Sequence, residues 1–328
     1  MKSTLRIDHL LRIAVCLLPS VMFVHAAAGQ TWPARTVRVV VPFAPGGGID
    51  ALTRALAQKL SEQTGATFVV DNRPGAGGVV GAEVVARSKP DGYTLLVAGT
   101  EFGINPVTRP KLQYDPFRDF IPISQLVALQ NMLASHPSVP VRNVKDLIAL
   151  AKARPAQLTY GTSGTGGGPH LAGELFQSMA GIRWVHVPFK GAGPASIAVM
   201  AGQIDFMFSS TAGLATHARA GKVRALGVTG DKRLPELPHV PTVAESGLPG
   251  YSVTGWNGLC APAGLAPELV RRIYGEAARA MNNADIMEML AKTGVERVAS
   301  TPEAFGIFLR AEIAKWTKVV NAAGIRVE

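Results

Sequence analysis

The chain has 328 residues, 47% of them hydrophobic and 17% charged, with a formal net charge of +10. That length supports one large or two medium domains with a proper core, and the composition excludes a disordered or charge-rich tail protein. The basic residues are dispersed, with Arg271-Arg272 and Lys232-Arg233 the adjacent pairs, which argues against a nucleic-acid surface and for solvated helix faces that draw anions mildly.

The first residues read as an export signal. Lys2, Arg6 and Arg12 give a basic start, Ile13 to Val24 an apolar run broken by Pro19, and Ala26-Ala27-Ala28 the small residues of a cleavage site. As a helix the run spans only about 18 Å, short of the ~30 Å hydrocarbon core of a membrane. Residues 1–28 are expected to be removed, leaving a soluble periplasmic protein that starts at Gly29. Cys16 leaves with the signal, so Cys260 has no partner for an intramolecular disulfide.

From Thr36 onward, short β-rich runs alternate with helical stretches. Val37 to Val41 is nearly all β-branched, as in a strand buried on both faces. Ile49, Leu52, Leu56 and Leu60 fall at helical spacing, with Gly65 as a stop. Thr67 to Val70 and Tyr93 to Ala98 are further strands, the former closed by the turn Asn72-Arg73-Pro74-Gly75. The theme restarts after Pro140. Asn143 caps a helix through Ala153, and strands are expected at Leu158 to Tyr160, Trp184 to Pro188, Ile204 to Phe208 and Ala225 to Thr229. Helices are expected over His170 to Met179 and Pro194 to Ala201. After Gly250 come helices at Pro267 to Met281, Ala284 to Leu290 and Pro302 to Val320, the last capped by Thr301. Two α/β halves with a parallel sheet and a cleft between them follow. The residues alone leave open which half takes the C-terminal helices.

Each half carries a glycine-rich strand-to-helix loop. The first is Pro42-Phe43-Ala44-Pro45-Gly46-Gly47-Gly48-Ile49-Asp50. Such a turn aims backbone N–H groups and the positive end of a helix dipole at an anion. It is equally a tight turn with glycine at positive φ and Asp50 balancing the dipole. The second runs from Tyr160 through Gly161-Thr162-Ser163-Gly164-Thr165-Gly166-Gly167-Gly168 to Pro169-His170, adding three hydroxyls that can donate to a carboxylate. Its glycine and hydroxyl content exceeds what a turn needs. The two loops would grip one anionic ligand from both sides.

Enzyme patterns fail on specific residues. Neither loop has the lysine of a Walker phosphate loop. Gly161-Thr162-Ser163-Gly164-Thr165 ends in threonine where a hydrolase elbow needs glycine. Val80 falls where a dinucleotide fingerprint needs its third glycine. His136, His170, His186, His217 and His239 show no metal-ligand spacing. No cofactor, metal site or catalytic residue is expected. The rival readings are a receptor feeding a signalling partner and a hydrolase or lyase on the same scaffold.

The motifs taken together resemble the tripartite tricarboxylate transporter receptors, also called Bug proteins. The matching pieces are Pro42-Phe43-x-x-Gly46-Gly47-x-x-Asp50-x-x-x-Arg54, Asn72-Arg73-Pro74-Gly75-Ala76-Gly77-Gly78, Asn105-Pro106, Tyr160-Gly161-x-x-Gly164-x-Gly166 with His170-Leu171-Ala172-Gly173-Glu174, Val187-Pro188-Phe189-Lys190-Gly191, Gly202-Gln203-Ile204-Asp205, and Gly255-Trp256-x-Gly258 with Ala261-Pro262-Ala263-Gly264. The resemblance implies a type II periplasmic-binding-protein fold. Lobe 1 would comprise 29–133 plus 254–328, and lobe 2 residues 134–253, so the C-terminal helices return to lobe 1. It also implies a monomeric receptor that binds a small carboxylate (a dicarboxylate, amino acid or aromatic acid) and hands it to membrane transporter subunits. Carried over by position, the ligand-binding residues are Ala44, Pro45, Gly46, Gly47, Gly48 and Asp50, Thr100 after the third strand, Thr162, Ser163, Gly164, Thr165, Gly166 and His170, with Lys190 at the cleft edge. Two departures stand out. Many relatives have serine or threonine at the position of Gly167, and the turn Ala261-Pro262-Ala263-Gly264-Leu265-Ala266-Pro267 is one residue longer than usual and lacks its threonine cap.

Overall fold

The computed structural model describes residues 32–323, so the expected export signal at 1–28 lies outside the described residues. The valine run is strand β1 (Val37–Val41), followed by helix α1 (Gly48–Thr64), strand β2 (Phe68–Asn72), helix α2 (Val79–Ala86), strand β3 (Thr94–Gly99) and helix α3 (Thr100–Thr108). β1 lies between β2 and β3, parallel to both, which is the pairing that helical crossovers permit. Helix α1 stops where Gly65 takes a left-handed φ of 73° and its N–H closes on the Ser61 carbonyl.

Strand β4 (Phe120–Ser135) then leaves this half for the second, which is built from α4 (Val144–Ala153), β5 (Thr159–Thr162), α5 (Gly168–Ala180), β6 (Val185–Pro188), α6 (Ala192–Met200), β7 (Phe206–Ser210), α7 (Thr211–Arg219), β8 (Arg224–Val228) and the short α8 (Val243–Ser246). Asn143 caps α4 as its sequence position indicates, its side chain accepting the Asp146 N–H. β5 is parallel to β6 and β7, repeating the first half's arrangement. The chain returns through β9 (Thr254–Pro262) to α9 (Pro267–Met281), α10 (Ala284–Thr293), β10 (Val295–Arg297) and α11 (Pro302–Ala323).

The sheet is mixed, where the sequence suggests a parallel one. β9 pairs antiparallel with β3 and with β4, and β4 pairs antiparallel with β7, β8 and β10. Neither β4 nor β9 carries a clear strand signal. Pro122 interrupts the first, and Gly255 and Gly258 dilute the second. Tertiary pairing forms them: β4 runs beside β9 from Phe120 to Gln130, then beside β7 from Asn131 to Ser135. One continuous strand therefore changes partner at Gln130–Asn131, where the two halves of the sheet meet.

Apolar clusters cover both faces of each half. Val39, Leu56, Leu95 and Leu126 pack with Ile273 and Ala277 of α9 on one face of the first. Val40, Leu96, Phe102 and Trp256 pack with Phe305 and Leu309 of α11 on the other. Helix α11 does not stop there. Its last turns carry Trp316, Val319 and Val320 into the core of the second half, with Tyr160, Phe176 and Phe208. The Trp316 indole donates to Glu312 Oε2 at 3.0 Å, so its buried N–H is satisfied within the helix.

A candidate ligand cleft at four helix N-termini

A cavity of about 550 Å³ opens where β4 changes partner. Gln130 and Asn131 of β4 and Gly255, Trp256 and Asn257 of β9 line it, with Phe43 and Ile49 from one side and Ser210 and Thr211 from the other. Met289, Leu290, Thr293, Gly294 and Val295, at the end of α10 and just beyond it, contribute a further wall. Gln130 is held in place by its own amide, which accepts the Gly230 N–H at 3.1 Å and donates to the Lys232 carbonyl at 3.0 Å.

Four helices begin at this cavity. Gly48 opens α1, Thr100 opens α3, Gly168 opens α5 and Thr211 opens α7, and each of these residues lines it. Every helix N-terminus presents unpaired N–H groups and roughly half a positive charge. No lysine, arginine or histidine is among the lining residues, and Glu101 is the one charged side chain there. The positive field thus comes from backbone.

The first loop is braced from behind. Asp50 is buried, and its carboxylate accepts the Gly46 N–H, the Arg54 Nε–H and the Asn72 amide, each at 2.9 Å. The Asn72 amide also donates to the Phe43 carbonyl at 3.1 Å. The Arg54 hydrogen bond holds the Asp50 pKa down to about 2, against the opposing effect of burial. Asp50 therefore positions the loop, and Ala44, Pro45, Gly46, Gly47 and Gly48 form its exposed rim, with Gly48 reaching the cavity lining. The left-handed φ of 88° belongs to Gly46, whereas Gly47, the N-cap of α1, has an ordinary φ of −82°.

The second loop has a buried foundation and an exposed crest. Thr162 is fully buried; its hydroxyl donates to the Gly164 carbonyl at 2.8 Å and lies 2.7 Å from His186 Nε2. Ser163 and Thr165 are exposed, and each is followed by a glycine at positive φ, Gly164 and Gly166. His170 is also buried and accepts the Gly166 N–H on Nδ1 at 3.0 Å, so it ties the loop to α5. Its ring stacks on His186 with centroids 4.0 Å apart, and its Nε2 lies 3.6 Å from Glu174. The Tyr160 hydroxyl donates to the same carboxylate at 2.6 Å. Burial pushes His186 down to about 4, and its neighbour His170 pushes the same way. Lys190 is exposed and is not among the residues lining the cavity.

Thr100 does reach the cavity, and its hydroxyl accepts the Trp256 N–H at 3.0 Å, joining α3 to β9. Among the lining residues that sequence reasoning passed over are the polar side chains of Glu101, Gln130, Asn131, Ser210, Thr211, Asn257 and Thr293. Most sit on β4, β7 and β9 or at helix starts without a glycine loop. A strand ending directly in a hydroxyl and a helix, as at Gly99-Thr100 and Ser210-Thr211, is the signal that would have found some of them.

Comparison with known proteins agrees with this architecture. The family described as tripartite tricarboxylate transporter family receptor matches residues 52–325. The chain is similar to Rpa4515 of R. palustris, solved with adipate, at 37% identity and a TM-score of 0.79, covering 90% of this chain and 99% of that one. It is similar to the periplasmic binding protein BugD at 31% identity and a TM-score of 0.76, over 90% of this chain and 100% of the other. MatC (Rpa3494) from Rhodopseudomonas palustris, solved with bound malate, is 32% identical with a TM-score of 0.74, over 88% and 99%. The fold is the type II periplasmic-binding-protein fold, two α/β lobes about a cleft, and the chain belongs to the tripartite tricarboxylate transporter family of receptors.

Proposed function

We propose that this chain is a periplasmic receptor that captures a small carboxylate in the cleft and delivers it to the membrane subunits of a tripartite tricarboxylate-type transporter, without making or breaking a bond. The observation that carries the reading is the convergence of four helix N-termini on a cavity whose lining has no side-chain cation. A carboxylate there is met by fixed N–H groups and by the hydroxyls of Thr100, Ser210 and Thr211. Adipate in Rpa4515 and malate in MatC support the ligand class. Ser163 and Thr165 on the second loop and Gly46 to Gly48 on the first are the ligand contacts from the jaws in this reading.

The lobes divide at 29–133 plus 254–328 and at 134–253 in the same proposal. The partner change of β4 at Gln130–Asn131 and the return at Thr254 support those limits. A ligand that touches both lobes favours closure by its differential affinity for the closed state. Export by a cleaved signal at 1–28 and action as a monomer belong to the same reading. No helix among the described residues is long and apolar enough to cross a membrane.

The test is a thermal-shift screen of refolded protein against small mono- and dicarboxylates and their methyl esters. A ligand at a hundredfold excess over its dissociation constant stabilises the native state by about 2.7 kcal/mol. The acids should raise the melting temperature and the esters should not. An ester that stabilises as well as its acid, or the absence of any shift across the acids, refutes the carboxylate reading.

A further inference from the structure

We propose that Glu101 selects a ligand carrying a protonated amine in addition to its carboxylate, so that this cleft takes a zwitterion in preference to a dicarboxylate. The inference rests on the reading of the cleft as a carboxylate site and deepens it.

Glu101 is the one charged side chain among the residues that line the cavity, and its sign is opposite to what an anion site calls for. Among the described residues its carboxylate makes no hydrogen bond or ion pair with another side chain; the group that it accepts from is its own backbone N–H, in the first turn of α3. That contact favours the ionised form, while burial in the cavity pushes the carboxyl up. An ionised carboxylate without a cation in a partly dry cleft is costly unless a partner arrives. The walls offer the partial positive charge of the helix N-termini, α3's own among them, but no side-chain cation. A full positive charge next to Glu101 has to come from the ligand.

The facing loop leaves room for that partner. Gly167, the N-cap of α5, has φ −82° and ψ 169°, a conformation open to any residue, so the backbone does not require glycine there. A Cβ at Gly167 would stand 3.9 Å from Glu101 Oε1. The absent side chain thus leaves space next to the carboxylate, on the opposite side of the cleft. The N-termini of α1, α3, α5 and α7 then hold the ligand's carboxylate, and an ammonium beside Glu101, at the edge of the space that a side chain at Gly167 would enter, cancels the second charge. A dicarboxylate would set a like charge against Glu101 instead.

The experiment is titration calorimetry of the refolded full chain at neutral pH. Its probes are straight-chain dicarboxylates of about four to six carbons and, at matched length, the ω-aminoalkanoates and α-amino acids. At least one amine-bearing acid should bind about tenfold more tightly than the dicarboxylate of its length, a difference well within what one charge pair supplies. In Glu101→Gln that ligand should lose about tenfold or more, while dicarboxylates hold or gain affinity. Gly167→Ser, which the backbone accepts, should also weaken the amine-bearing ligand by offering Glu101 a hydroxyl in its place. Tighter binding of dicarboxylates than of every amine-bearing counterpart overturns the proposal, as does an amine-bearing ligand that Glu101→Gln leaves within about twofold. The carboxylate reading survives both outcomes. It fails, and this inference with it, if no member of either series binds.

Discussion

Residues of the two loops that look alike in sequence divide into supports and rim. Thr162 is buried with its hydroxyl engaged, whereas Ser163 and Thr165 are exposed. Thr162→Val is therefore expected to lower stability by about 1–3 kcal/mol in denaturant unfolding, as removal of a buried hydrogen-bonding group does. Ser163→Ala and Thr165→Val should stay within about 0.5 kcal/mol of the parent in the same measurement, yet weaken ligand binding. The histidine pair under the second loop gives a pH signature. The folded pKa of His186, about 4, lies below its ordinary value of 6.5, so below pH 6.5 the unfolded chain binds the proton more readily. Its contribution to stability is complete above pH 6.5 and is lost as pH falls toward 4, at a slope of no more than about 1.4 kcal/mol per pH unit. His186→Gln should flatten the fall of unfolding free energy across that window. Asp50, lowered to about 2, acts further down: its contribution is present above pH 3.8 and lost as pH falls toward 2. An unchanged slope between pH 6.5 and 4 in the variant would mean that His186 is not the group responsible.

At the scale of the element, the first loop is a strand-to-helix turn held by a carboxylate in the first turn of α1. Asp50 satisfies the Gly46 N–H and the Asn72 amide at once, and Arg54 neutralises it on the same helix face. Asp50→Ala leaves those donors without their acceptor. The expected cost is about 2–4 kcal/mol by chemical denaturation, with ligand affinity falling as the loop loosens. Gly46 is the position in this turn that needs glycine, because its φ is 88°. Gly46→Ala should cost about 1–2 kcal/mol, and Gly47→Ala, on an ordinary extended backbone with no atom within 4 Å of the new Cβ, very little. Equal destabilisation by the two would contradict the assigned turn geometry.

Over the whole molecule, two features join what the α/β repeats would leave separate. β4 passes from one half of the sheet to the other, and α11 carries Phe305 and Leu309 in the first half's core and Trp316 in the second's. Trp316 is fully buried, so Trp316→Ala is expected to destabilise by about 3–5 kcal/mol, read from the shift of the urea midpoint. A loss below about 1 kcal/mol would show that the end of α11 is not integral to the second core. Cys260 on β9 lies in the middle of the sheet at 1% exposure, and burial pushes its thiol up. It should resist alkylation in the native protein and react on unfolding.

The sequence by itself determined the repeating part of this molecule. β-branched runs, helical spacing and glycine stops are local properties, and they placed β1, α1, β5, α5 and α9 close to where the structure has them. The same locality made both glycine loops legible as strand-to-helix turns, and the motif set identified the family. Tertiary structure alone decided the rest. β4 and β9 are strands because each finds partners far along the chain, a pairing that no local propensity encodes. Asp50 and Thr162 became supports because three-dimensional packing spent their hydrogen bonds inside the loops. Glu101 reads as an unremarkable first-turn acid on a helix. Its isolation in a cavity without cations exists only once α1, α3, α5 and α7 have been brought to one point, since the charge of a site is a sum over elements that the sequence holds more than a hundred residues apart.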